Sequence, residues 1–159
     1  YKHIQISNMQ GPAGRHFDEN GVHVQDNVPA FRCDDIPQSA LEWIIRPRPS
    51  GWLSHDQLQT LGTMGCMVVG VGHVYSGEKD IEWRMSYTLQ ERMLMSSLNP
   101  VQHKVYILLK MLKKNVLENE FHEETLTSYH FKTCILYAVH MSPGRAWTRD
   151  NLINCLIWF

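Results

Sequence analysis

The sequence predicts an α+β fold, and three observations carry that prediction. The first third alternates polar and apolar residues around an Asn-Gly pair, whereas the last half repeats apolar residues at helical spacing. Between them, Glu82-Trp83-Arg84-Met85-Ser86 changes from strand-like alternation to helical spacing at Ser86. Strands followed by a run of helices imply a sheet-bearing part joined to a helical part. We divide the chain accordingly into residues 1-80 and 81-159, the first a partial mixed core and the second a helical domain.

Arg15-His16-Phe17 and Val22-His23-Val24 flank Asp18-Glu19-Asn20-Gly21. Asn and Gly tolerate the positive φ of a tight turn, so a β-hairpin is expected here. At period two Val22, Val24 and Asp26 share a face of the second strand, with a carboxylate ending an apolar row. Such a carboxylate suits a divalent cation such as Mg²⁺, which favours oxygen ligands; the alternative is that Asp26-Asn27 opens a solvated turn.

Ser39 to Ile45 spaces Leu41, Ile44 and Ile45 as a helix, and Arg46-Pro47-Arg48-Pro49-Ser50-Gly51 ends it. Ser54 with Gln57 reads as a capping box for a short helix that Gly62 and Gly65 can close, and Cys66 to Val71 reads as a buried strand. Ser76-Gly77-Glu78-Lys79-Asp80 is a polar linker, after which the sequence reads as helical throughout.

The helices expected in the second half run from about Ser86 to Leu98, from Pro100 with a stripe of Val101, Val105, Leu108, Leu109, Leu112 and Val116, and from about Leu126 to Met141. Ser142-Pro143-Gly144 breaks the third. Thr148 is expected to cap a fourth carrying Leu152, Ile153, Leu156 and Ile157.

With 159 residues and 43% hydrophobic content the chain can bury a core. Its 15 basic and 16 acidic residues leave a net charge of -1, so no strong DNA binding is expected from net charge. No apolar run reaches the ~20 residues of a membrane span, and no partnership with a membrane is expected. Cys33, Cys66, Cys134 and Cys155 are far apart without metal-site or framework spacing, and read as reduced core residues. Cytoplasmic localisation, or nuclear, is the expectation. The last residues, Cys155-Leu156-Ile157-Trp158-Phe159, look like an unfinished helix, so the chain is expected to be a piece of a longer protein.

Several residues invite two readings. Lys110, Lys113 and Lys114 could contact phosphate or form a solvated helix face. Ser128 at a helix start could offer its hydroxyl and nearby N–H groups to an anion, or serve as an N-cap. Tyr129 could stack on a base or lie in a helical core. His122, His130 and His140 lack zinc-site spacing.

Taken in order, Gly11-Pro12-Ala13, Val24-Gln25-Asp26, E-W-R-M-S-Y-T-L-Q-E-R from Glu82, L-L-K from Leu108, T-S-Y-H-F-K-T from Thr127 and W-T-R-D-N-L-I-N-C-L from Trp147 resemble the Mab-twenty-one-like family. That family contains cyclic GMP-AMP synthase and its animal relatives, which make nucleotide second messengers of innate immunity. The resemblance implies a nucleotidyltransferase core followed by a helical domain, with nucleotides such as ATP or GTP held in the cleft between them. Catalytic relatives bind two Mg²⁺ or Mn²⁺ ions through three carboxylates, and Asp26 matches the third. Arg84, Ser86, Thr88 and Glu91 match residues lining the nucleotide pocket. Lys110 and Ser128 match phosphate contacts, and Tyr129 matches the aromatic that stacks on a base.

Three departures accompany the resemblance. The Gly-Ser motif and first carboxylate pair would precede Gly11, so this chain alone is expected to be inactive. Ser96 to His103 is short and without cysteine where the synthase carries its zinc insertion, so no structural zinc is expected. Val28 stands where the synthase has a hydroxyl-bearing residue near the base. The resemblance thus leaves two functions, a nucleotidyl transfer to a ribose hydroxyl and a non-catalytic nucleotide-sensing or protein-interaction module.

Overall fold

The computed structural model describes residues 13–17, 21, 23–117 and 126–159. The Gly11-Pro12 block, the turn residues Asp18, Glu19 and Asn20, and His122 lie outside them. So do the side chains of Asp26 and Val116, whose backbones alone are described.

The fold is α+β. Its compact units are the described part of Tyr1–Leu41 with Gly62–Leu89, and Glu42–Leu61 with Gln90–Phe159. In the first unit β1 (Gly14–Phe17) pairs antiparallel with β2 (His23–Asn27), with Gly14 opposite Asn27 and Arg15 opposite Asp26. Gly21 has φ +75°, the left-handed conformation the Asn-Gly signal anticipates. Asp26 thus lies within a strand.

A second sheet has the order β3 (Phe31–Cys33), β4 (Cys66–Val69), β5 (Arg84–Ser86), both pairings antiparallel. Cys33 faces Cys66 on one side of β4, and Met67 faces Ser86 on the other. Cys66 and Val69 are buried. Strand β5 corrects the expectation of an all-helical second half. The strand-like alternation before Ser86 marks these residues in the sequence, whereas their backbone pairing with the open edge of β4 is a long-range contact that alternation does not report.

Gly65 enters this sheet under a tight constraint. Its φ is +68°, and a Cβ there would meet the Cys33 carbonyl oxygen at 2.3 Å. Only glycine combines that backbone with that approach.

Helix α1 (Gln38–Ile45) ends where Arg48 turns its guanidinium back on it, donating to the carbonyls of Trp43 at 2.9 Å and Ile44 at 2.8 Å. Helix α2 (His55–Thr63) opens on the expected capping box. The Ser54 amide donates to Gln57 Oε1 at 2.8 Å, and the Gln57 amide to Ser54 Oγ at 3.2 Å.

In the second unit α3 (Thr88–Ser96) begins two residues later than its spacing suggests, because Ser86 still belongs to β5. Helix α4 (Pro100–Leu112) starts with Asn99 as N-cap. The Asn99 side chain accepts from the amides of Val101 and Gln102, and Gln102 Oε1 accepts from the Asn99 amide at 2.7 Å. A π-helical turn, Lys113–Leu117, continues it. Helix α5 (Ser128–Met141) follows, then a 3₁₀ turn at Gly144–Ala146 and α6 (Leu152–Ile157).

Val105 and Leu109 on α4, Ile135 and Val139 on α5, Cys155 on α6, and Leu98 and Trp147 form one buried cluster. Trp147 Nε1–H donates to Ser142 Oγ at 2.8 Å, so the residue that ends α5 also satisfies the indole. The sequence-derived stripes are only partly buried. Leu112, Ile153 and Ile157 are exposed; α6 turns Leu152, Cys155 and Leu156 to the core, which leaves Ile153 and Ile157 on its other side. Asn151, not Thr148, occupies the N-cap of α6. Thr148 lies in the preceding turn, where its carbonyl accepts the Asn151 amide.

His140 is a buried histidine in a cationic setting. Its ring lies 6.2 Å from Trp43, and the Arg48 guanidinium sits 4.6 Å from the centre of the Trp43 ring. His140 Nδ1 and Arg48 Nε are buried without a hydrogen-bond partner. Burial first, then the charges of Arg48 and Arg46, push the His140 imidazole below its ordinary value.

Two outcomes follow. Gly65→Ala should lower the unfolding free energy by about 2 kcal/mol or more, from a left-handed backbone plus a backbone clash; a denaturant midpoint within error of wild type would contradict it. His140 is neutral when folded, and an unfolded histidine gains its proton near pH ~6.5. Its contribution is therefore present above that pH and is lost as pH falls towards the lower folded value. Urea titrations should show wild type losing stability relative to His140→Gln as pH drops from 7.5 to 5.5, and a constant difference would overturn this.

Candidate functional site

The sequence-selected residues fall on two surfaces, one in each unit. In the first unit Arg84 and Ser86 lie on β5, and Thr88 opens α3. Two-residue periodicity puts Arg84 and Ser86 on the same side of the strand. Ser86 Oγ and Thr88 Oγ1 are 2.8 Å apart and hydrogen-bonded, so two hydroxyls are presented as a pair. Arg84 is exposed and lines a cleft of about 480 Å³ with Trp83 and Glu82 and with the segment Val71, Gly72, His73 and Val74.

Glu82 shapes that cleft. Its carboxylate accepts the His73 amide at 2.7 Å and the Ser76 hydroxyl, which together tie the 73–76 segment to the residues just before β5. The Ser76 hydroxyl first, then the His73 amide, hold the Glu82 carboxyl below its ordinary value. Gly72 packs closely within the same segment; a Cβ there would meet the Lys79 carbonyl oxygen at 2.2 Å.

In the second unit the start of α5 carries Ser128 and Tyr129. Thr127, not Ser128, is the N-cap residue, with φ -91° and ψ 162°. His130 Nδ1 accepts the Thr127 amide at 3.0 Å, closing the N-terminal turn. Ser128 is thereby left as the first helical residue, with its hydroxyl exposed. Tyr129 is 60% exposed, so it is not a core aromatic.

Glu91 in the first turn of α3 forms an ion pair with Lys132, one turn into α5. The two side chains are 27% and 30% exposed, for Lys132 and Glu91 respectively. The Lys132 ammonium also lies 5.9 Å from the centre of the Tyr129 ring. Glu91, Lys132, Tyr129 and Ser128 are therefore one connected patch. Lys132 was not selected from the sequence, although it is the lysine of T-S-Y-H-F-K-T four residues after Ser128, which puts it on the same helix face. Lys110 is on α4, exposed, with its ammonium 5.7 Å from the Tyr106 ring.

Asp26 is placed by its backbone alone, in β2 opposite Arg15. Among the described residues no group of three or more His, Cys, Asp or Glu side chains is gathered to hold a metal ion. No helix among them is long and apolar enough to cross a membrane. Val28 is exposed beyond the end of β2.

A small antiparallel sheet with helices, continuing into a helical region that carries hydroxyl, aromatic and basic groups, has the make-up of a nucleotidyltransferase-type fold. A family model described as the Mab-21 protein nucleotidyltransferase domain matches residues 5–97, more than half of the chain. The chain belongs to that family. Asp26, Arg84, Ser86, Thr88 and Glu91 fall inside the matched region, and Lys110, Ser128 and Tyr129 follow it.

The Glu91–Lys132 pair should be energetically real because it is mostly shielded from solvent. A double-mutant cycle of Glu91→Gln and Lys132→Met should give a coupling of about 1 kcal/mol. A coupling indistinguishable from zero would mean the pair is a surface contact without consequence.

Proposed function

We propose that this chain supplies nucleotide-holding surfaces to a nucleotidyltransferase that joins nucleoside triphosphates, with a ribose hydroxyl attacking an α-phosphate. The observation that carries this reading is the exposed Ser128–Tyr129 start of α5. The N–H groups of a helix's first turn lack intrahelical acceptors and favour anions, so a phosphate beside Ser128 meets both a hydroxyl and a positive helix end. A base has the open Tyr129 ring to stack on. Lys132, held by Glu91, keeps a cation beside that ring, and Lys110 adds a second cation on α4.

On β5, Arg84 offers a planar set of donors for phosphate or a base edge, and the Ser86–Thr88 hydroxyl pair offers donors and acceptors nearby. Family membership supports ATP or GTP as the ligand class. The described side chains do not by themselves compose a centre for Mg²⁺ or Mn²⁺. Asp26 is the residue of this chain that would offer such an ion a carboxylate. A non-catalytic nucleotide-sensing module would use the same surfaces without turnover.

Adding ATP or GTP should raise the melting temperature of the chain, and Lys110→Ala and Tyr129→Ala should each remove most of that rise. A rise unchanged in both variants would return these residues to a solvated helix face. For turnover, the chain should be expressed with any coding sequence its transcript carries upstream of Tyr1 and assayed with Mg²⁺ or Mn²⁺. Asp26→Asn should abolish product while leaving the melting temperature nearly unchanged. Nucleotide binding without product would favour the non-catalytic module.

A further inference from the structure

Cys33 and Cys66 are 33 positions apart in sequence and directly opposite one another in the β3–β4 pairing. Facing residues of an antiparallel pair have Cα atoms about 4.5 or about 5.5 Å apart. A disulfide spans about 4.4–6.8 Å between Cα atoms. Side chains of facing residues also project to the same side of the sheet, so both thiols share one face. Their burial is unequal: Cys66 is 3% exposed, and Cys33 is only half-buried.

We propose that Cys33 and Cys66 are a reversible thiol–disulfide site, oxidised by a peroxide. The more accessible Cys33 meets the oxidant. Its Sγ attacks a peroxide oxygen, giving a sulfenic acid and one water. Cys66 Sγ then attacks Cys33 Sγ, expelling the second water and forming the S–S bond. Two thiols lose two electrons and two protons, and one hydrogen peroxide becomes two waters.

The position of Cys66 fits the resolving role. Its thiol donates to the Asp35 carbonyl at 3.6 Å, which fixes the sulfur beside β3. Burial first, then the proximity of Cys33, push the Cys66 thiol above its ordinary value, which leaves the more accessible Cys33 as the thiol that meets the oxidant. The other thiols lack this arrangement. Cys134 is exposed on α5, and Cys155 is buried with its Sγ donating to the Ala146 carbonyl at 3.3 Å. The bond would clasp β3 to β4, whose other edge carries β5 with Arg84 and Ser86.

The test treats the full 159-residue chain, at low concentration, with a slight excess of hydrogen peroxide, followed by denaturing alkylation and non-reducing peptide mass spectrometry. Two of the four thiols should become unavailable to alkylation. One linked peptide should join Cys33 to Cys66, and dithiothreitol should restore four free thiols. Cys33→Ser should abolish the link with native circular dichroism retained, and Cys134→Ser should leave it intact. Four alkylatable thiols after treatment, Cys33 accumulating as sulfinic or sulfonic acid, or a link through Cys134 would each overturn the proposal. Cys66→Ser should likewise abolish the link, and Cys33→Ser alone decides if that variant fails to fold.

Discussion

The helical unit depends on the seam between α4 and α5. Val105 and Ile135 are both at 0% exposure, and Leu109 and Val139 extend the same contact one turn further on each helix. Removing that apolar area from water, at roughly 25 cal/mol per Å², is what orients the two helices, because neither could bury such a stripe alone. Once the seam is set, the polar residues have little choice of position. Ser128 and Tyr129 reach the surface at the start of α5, Lys110 points to solvent from α4, and Glu91 reaches Lys132. The same seam brings Trp147 onto Ser142 and closes the far end of α5. The exposed groups that a nucleotide would use are therefore consequences of the buried ones.

The sheet unit rests on a different constraint, the close backbone approach of Gly65 to Cys33. That approach brings β4 alongside β3 in a register that buries Cys66 and Val69 and leaves the other edge of β4 for β5. Arg84 and Ser86 are held by backbone pairing, with Glu82 tethering the segment just before them through His73 and Ser76. Neither tether engages the Arg84 guanidinium or the Ser86 and Thr88 hydroxyls beyond their own pair. The scaffold is stiff where it joins neighbouring segments and open where a ligand would meet it.

Local chemistry was legible in the sequence and long-range pairing was not. The Ser54–Gln57 capping box, the proline-led α4 and the positive φ at Gly21 each follow from a few adjacent residues. So does the end of α5 at Ser142. The alternation before Ser86 points to β5 but not to its partner β4, and the cap of α6 falls on Asn151 rather than Thr148 because both are capping types, three residues apart. The partner of Lys132 lies 41 positions away on α3, and no periodicity reports such a pairing. Cys33 and Cys66 look unrelated for the same reason. Motif order gave the family from the sequence, and the match over residues 5–97 established it.

The central claim is that the start of α5 receives a nucleotide. The most direct measurement is a titration of the ¹⁵N-labelled chain with ATP or GTP, followed by amide chemical shifts. The account predicts that the amides of Ser128, Tyr129 and His130 move together and saturate, with the Lys110 region following. Shifts confined to other segments, or no saturable shift at α5, would contradict it.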